Sequence, residues 1–209
     1  GILQDEYGVK PSDIYWYTGG QEKPGRIEKI KLDLPGDVNI QPIDANQTLN
    51  GMLEEHGLVA LIAPRAPSCF LLGSPNVKRL FTDYKTTERE YYQRTGIFPI
   101  MHVIAIKDEV LEENPWVASN LYKAFVKAKQ IVYEGFNQTA ALKVTLPWLI
   151  PEIEKTKKIM GEDFWPYGLK NNEQTLEAAV RYAYEQGLIR KRLKITDLFA
   201  KTTLDEYTI

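Results

Sequence analysis

The side chains able to do chemistry in this 209-residue chain are few: two histidines, one cysteine, and arginines and carboxylates spread through the sequence. Neither His56 nor His102 has a second His, Cys or carboxylate at metal-ligand spacing, so no metal is expected. Thr18-Gly19-Gly20 lacks the residues that must follow in a phosphate-binding or dinucleotide-binding loop, and there is no nucleophile elbow. No cofactor is therefore expected. Cys69 has no flanking basic residue to favour its thiolate and reads as a core or loop cysteine. With a single cysteine an internal disulfide is impossible, which leans towards a reducing compartment.

What remains is a set of polar groups at the ends of strand-like segments. In an open α/β sheet the ligand crevice lies beyond the carboxyl ends of the strands. That rule singles out two loops, Thr18-Gly19-Gly20 and Pro64-Arg65-Ala66-Pro67-Ser68. Arg65 offers a planar fork of donors that matches a carboxylate, and two prolines confine the loop that carries it. A solvated surface arginine is the alternative. His102 interrupts the otherwise apolar run 97–106. It is either a buried neutral imidazole satisfied by a backbone carbonyl or a proton donor and acceptor facing a cleft, since imidazole changes charge near neutrality. The rings of Trp116, Trp148 and the loop Asp163-Phe164-Trp165-Pro166-Tyr167-Gly168 read first as packing and second as the wall of a pocket.

These groups need elements to position them. Residues 2–7 read as the last turns of a helix, with Gly8 where a left-handed C-cap belongs and Pro11 shortly after. Residues 13–17 favour a strand. The runs 27–34 and 38–43, separated by Pro35-Gly36-Asp37, predict a hairpin or two consecutive short strands. A helix over 47–56 stops at Gly57, and the continuous apolar run 58–63 predicts a strand buried on both faces. A charged, tyrosine-rich helix over 84–94 precedes Gly96, and 97–106 predicts another apolar strand. Asn114-Pro115 starts a helix whose stripe is Trp116, Ala118, Leu121, Ala124, Phe125, Ala128 and Ile131. Helical segments follow over 140–160, broken by Pro147 and Pro151, and over 172–186, stopped by Gly187. An α/β first half is thus followed by a helical second half.

Composition narrows the class. The chain is 44% apolar and 26% charged, with a net charge of −2, which excludes a disordered or collagenous chain. Near-neutral charge gives no electrostatic footprint for nucleic acid. No apolar run reaches the length of a membrane-spanning helix, so no membrane insertion is expected. The chain starts at Gly1, inside a helix with no beginning, which predicts a piece of a longer protein.

Several motifs point the same way. Gly1-Ile2-Leu3-Gln4 with Tyr7-Gly8-Val9, Thr18-Gly19-Gly20, Ala63-Pro64-Arg65, Arg79-Leu80-Phe81, Thr95-Gly96-Ile97-Phe98-Pro99-Ile100-Met101-His102, Asn114-Pro115-Trp116-Val117-Ala118, Leu146-Pro147-Trp148 and Phe164-Trp165-Pro166-Tyr167-Gly168 together resemble the 4,5-dihydroxyphthalate decarboxylase family over essentially the whole chain. The chain departs from that family at His56-Gly57-Leu58-Val59-Ala60, where members usually carry an acidic residue. The resemblance implies an α/β, type II periplasmic-binding-protein-like fold of two lobes, with the N-terminal part of lobe one missing. Residues 1–96 would hold most of lobe two, and 97–209 the hinge strand and the helices returning to lobe one. It also implies non-oxidative decarboxylation of 4,5-dihydroxyphthalate, or a related aromatic dicarboxylate, to protocatechuate and carbon dioxide. Under that reading Arg65 clamps a carboxylate, Thr18, Gly19, Gly20 and Ser68 help to bind the substrate, and His102 is the acid. The alternative is a solute-binding protein of a transporter that captures an aromatic or other carboxylate without chemistry. A cytoplasmic location is expected, or a periplasmic one if the preceding segment carries a leader.

Overall fold

A computed structural model describes residues 1–30 and 32–204. The architecture is mixed: eight α-helices and a two-stranded parallel sheet among the described residues. Two compact units divide the chain, one formed by Gly1–Thr87 with Tyr182–Arg190, the other by Glu88–Arg181 with Lys191–Ile209.

In the first unit, α1 (Ile2–Tyr7) ends at Gly8, whose φ of 70° lets the turned-back amides of Gly8 and Val9 reach the carbonyls of Gln4 and Leu3. Asp5 accepts a 2.7 Å hydrogen bond from the Tyr182 hydroxyl. Strand β1 (Tyr15–Thr18) follows, anchored by Trp16, whose indole N–H donates to the Pro11 carbonyl at 2.9 Å. The expected hairpin over 27–43 does not form. Its second run becomes β2 (Asn39–Pro42), paired in parallel with β1 in the register Tyr15 to Asn39 and Thr18 to Pro42, while the described part of 27–34 forms no strand and Lys31 lies outside the described residues. The reason is local: a turn closed by the Val38 amide on the Pro35 carbonyl, 3.0 Å, sends the second run along β1 instead of back along the first.

Helix α2 (Leu49–Glu54) is capped by Thr48, whose hydroxyl accepts the Gly51 amide at 3.1 Å. It stops two residues before the expected end at His56. His56 takes the left-handed conformation, φ 63°, and the amides of Gly57 and Leu58 both reach the Met52 carbonyl. The expected strand over 58–63 is irregular, with Val59 104% exposed and Ile62 73% exposed. A strand buried on both faces needs a ladder on each edge. Among the described residues the only sheet is β1 with β2, and neither pairs with this run. The short helix α3 (Ser68–Leu71) then buries Cys69.

Helix α4 (Tyr84–Thr95) closes on Gly96, φ 64°, as its sequence predicts. In the second unit the expected strand over 97–106 is likewise irregular, and Met101, Val103 and Ile104 are each 66% exposed. Helices α5 (Asp108–Glu113), α6 (Val117–Phe136), α7 (Leu149–Met160) and α8 (Glu173–Glu185) follow, and Pro151 is accommodated in the first turn of α7. The core of this unit is made by Ala118, Leu176, Ala178, Val180 and Ile195.

The face that α6 packs differs from the predicted stripe. Of that stripe Ala118 is buried, but Leu121, Phe125 and Ile131 are exposed, and Tyr122, Lys129 and Tyr133 are the residues that lie half-buried further along the helix. Polar chemistry outcompetes the apolar stripe here. The Lys129 ammonium sits 2.6 and 2.7 Å from the two carboxylate oxygens of Asp163 and 3.1 Å from the Trp165 carbonyl, over the rings of Tyr133 and Tyr167. The Tyr133 hydroxyl donates to Asp163 at 3.1 Å and accepts the Trp165 amide at 2.9 Å, while its ring stacks on Phe164, 4.7 Å between centroids. The aromatic loop is therefore a packed buttress on α6, as its first reading expects. Trp116 and Trp148 remain exposed.

Burial, reinforced by the nearby Asp163 charge, holds the Tyr133 phenol well above its ordinary value of 10.0. Such a group contributes stability fully below the unfolded value and loses it as pH rises through the folded one. Unfolding by urea is therefore expected to become easier above pH 10.0, and Tyr133→Phe to flatten this alkaline slope relative to the unsubstituted chain.

Candidate functional site

The first unit joins the two loops singled out by sequence through Gln21 and Glu22, which follow the first of them. β1 ends at Thr18, whose carbonyl accepts the Ile43 amide at 2.9 Å. Gly19 then passes Ile43 so closely that an added Cβ would lie 2.5 Å from its side chain. Gly20 is buried, and a Cβ there would overlap the Lys23 carbonyl oxygen, so no other residue fits without moving backbone. These two glycines let the chain run across the start of α2, where the Gly20 and Gln21 carbonyls accept the amides of Leu49 and Asn50 at 2.9 and 3.0 Å. The amides at a helix start have no intrahelical partners, and the loop supplies them.

From that anchored loop Gln21 and Glu22 reach the second loop. The Gln21 side-chain amide donates to the Arg65 carbonyl at 3.1 Å. The Glu22 carboxylate accepts the Ser68 amide at 3.0 Å on Oε1 and the Ser68 hydroxyl at 2.7 Å on Oε2. These two bonds, the hydroxyl's first, hold the Glu22 carboxyl below the usual carboxylate range although it is exposed. One step further, Asn50 Oδ1 accepts the Cys69 amide at 2.9 Å, so α2 and α3 are joined as well.

The Arg65 side chain is exposed and makes no ion pair or hydrogen bond with the described residues, so its fork is uncommitted while its backbone carbonyl is tied to Gln21. Ser68 is half-buried, and its hydroxyl is already given to Glu22. Thr18, Gly19, Gly20, Arg65 and Ser68 thus belong to one unit. His102 belongs to the other, and it is neither buried nor part of a strand. The reading of a satisfied core imidazole is corrected: with 97–106 outside any ladder, no carbonyl of a neighbouring strand is there to hold the ring.

Sequence reasoning missed Gln21, Glu22 and Asn50. Two polar residues directly after a Gly-Gly pair are a usable signal, but the partner of Glu22 lies 46 residues away. Among the described residues no cluster of three or more His, Cys, Asp or Glu side chains can hold a metal ion. No helix among them is long and apolar enough to cross a membrane. An open hollow of about 420 Å³ in the second unit, bounded by Gly96 and residues 170–175, contains none of the residues that the sequence singles out.

No family model matches the chain. It is 38% identical over 208 residues to the 4,5-dihydroxyphthalate decarboxylase of Comamonas testosteroni, covering 100% of this chain and 63% of that protein. It is 44% identical over 92 residues to the 4,5-dihydroxyphthalate decarboxylase of Pseudomonas putida, 44% of this chain and 36% of that protein. The chain thus spans less than two thirds of the length of these curated relatives. A similarity that runs the length of the chain to one such enzyme, and over 92 residues to another, supports its assignment to the 4,5-dihydroxyphthalate decarboxylase family.

Proposed function

We propose that the protein carrying this chain decarboxylates 4,5-dihydroxyphthalate, or a closely related aromatic dicarboxylate, to protocatechuate and carbon dioxide without oxidation. The observation that carries this reading is the 38% identity over 208 residues to a named decarboxylase. An uncommitted arginine fork on a segment tied by its backbone to Gln21 supports it, because the substrate class is defined by carboxylates. The finer fold belongs to the same reading: an α/β, type II periplasmic-binding-protein-like arrangement, with 1–96 in one lobe and 97–209 supplying the hinge and returning helices.

The reaction exchanges one carboxylate for one proton. The ring carbon that bears the departing carboxylate accepts a proton, assisted by electron release from the para-related hydroxyl. The bond from that carbon to the carboxylate then breaks, and its electron pair returns to the ring as carbon dioxide leaves. The protein must hold the spared carboxylate, strip water from the departing one and deliver the proton. Arg65 holds the spared carboxylate, the Thr18-Gly19-Gly20 turn and the Ser68 loop shape the place where it docks, and His102 delivers the proton. The exposure of His102 and its lack of a hydrogen-bond or ion-pair partner among the described residues support that role, since its ring nitrogens are left open to a ligand.

Incubating the whole protein with 4,5-dihydroxyphthalate and separating the products is expected to give protocatechuate and carbon dioxide in equal amounts. Each tenfold in rate corresponds to about 1.4 kcal/mol of differential stabilisation, and His102→Ala is expected to lose at least two such steps in kcat. Near-normal turnover by His102→Ala removes the histidine from the mechanism, and absence of protocatechuate with the unsubstituted protein removes the reaction.

A further inference from the structure

Helix α3 begins with an unusual need. Pro67 occupies its N-cap position and has no side-chain acceptor, so the Ser68 amide would be left open. Glu22 fills that need from another loop, taking both the amide and the hydroxyl of Ser68. The Gln21 side-chain amide lies between, 3.1 Å from Glu22 Oε1 and 3.1 Å from the Arg65 carbonyl. The Arg65 segment is thereby held at two points, the carbonyl of residue 65 and the amide of residue 68, while the guanidinium stays free.

We propose that Glu22 is a positioning residue for carboxylate recognition: its carboxylate, clasping Ser68 across the two loops, fixes the turn from which Arg65 reaches the ligand. The proposal rests on the reading of Arg65 as the carboxylate clamp. The groups facing Glu22 are the Ser68 amide and hydroxyl from the second loop and the Gln21 amide from its own. The charged side chain on the facing loop is Arg65, which makes no ion pair with it, and α2 contributes Asn50, which does not titrate. A charge-assisted clasp holds a segment more firmly than a neutral one, so removing the charge should loosen the arginine without touching the reacting carbon.

The test compares Glu22→Gln, Glu22→Ala and Ser68→Ala in the whole protein, with 4,5-dihydroxyphthalate as substrate. Glu22→Gln and Glu22→Ala are expected to raise KM about tenfold and to leave kcat within about twofold, the split expected when binding alone is lost. Ser68→Ala, which removes the hydroxyl donor and keeps the amide donor, is expected to raise KM by less than either Glu22 substitution. Should Glu22→Ala fail to fold, the near-isosteric Glu22→Gln carries the comparison. Unchanged KM in Glu22→Gln, or tighter binding through relief of charge repulsion, overturns the role of Glu22 while leaving Arg65 standing. An unsubstituted protein that neither binds nor converts the substrate overturns the reading of the site itself.

Discussion

Lys129→Ala is expected to cost the second unit about 2–3 kcal/mol of stability, measured as the shift in urea unfolding free energy. The side chain is only 11% exposed, and it serves at once as ion-pair partner to Asp163, donor to the Trp165 carbonyl and cation over two tyrosine rings. Removing it leaves the Asp163 carboxylate without its counter-charge and the Trp165 carbonyl without its donor. The loss stays below the range for fully buried pairs because Asp163 is 50% exposed and water can replace part of what it loses. Asp163→Asn is therefore expected to cost less, and the double variant less than the sum, because the two side chains share one interaction. A loss below about 0.5 kcal/mol in Lys129→Ala would mean that the aromatic loop holds α6 by ring packing alone.

Arg65→Ala is expected to lower kcat/KM for 4,5-dihydroxyphthalate about a hundredfold, equivalent to about 2.7 kcal/mol of lost transition-state stabilisation. Arg65→Lys keeps the charge but loses the planar fork, and is expected to recover about tenfold of that deficit. Neither substitution should move the melting temperature appreciably, since the side chain is exposed and makes no hydrogen bond or ion pair with a described residue. Steady-state kinetics and a thermal melt on the same preparations check both halves. A near-normal KM in Arg65→Ala makes this a solvated surface arginine and moves carboxylate recognition elsewhere.

Local signals carried most of the helices. Gly8 and Gly96 stop α1 and α4 at the positions their backbone freedom suggests, and the periodic stretch before Gly187 becomes α8. Pairing between distant segments was not legible. Nothing in residues 38–43 says that they run parallel to β1, and nothing local says whether 58–63 or 97–106 finds a ladder. The face of α6 was misread for a related reason. Hydrophobic period ranks Leu121 and Phe125 as inward, but a lysine with three oxygen contacts and two rings competes for the same turn. At the candidate site the strand-end rule singled out the Gly19-Gly20 turn, which does follow β1, and the Arg65 loop, which follows a run that forms no strand; the structure joins the two through Gln21 and Glu22. A contact spanning 46 residues leaves no trace in sequence spacing, which is why the residues that make the joint were invisible while the loops were not.

With Arg65 in the proposed role of carboxylate clamp, its free guanidinium would also govern the thermodynamic character of ligand capture. Its backbone is restricted in advance by Pro64 and Pro67 and by the two hydrogen-bonded anchors, so little main-chain entropy is left to lose. Its side chain is unrestrained, and arresting a long side chain of this kind costs about 2 kcal/mol of rotamer entropy. That penalty falls on the binding step, where charge-assisted hydrogen bonds offset it with heat. Association with a carboxylate at this loop should therefore be exothermic and opposed by entropy, the signature of a rigid mount carrying a mobile hook.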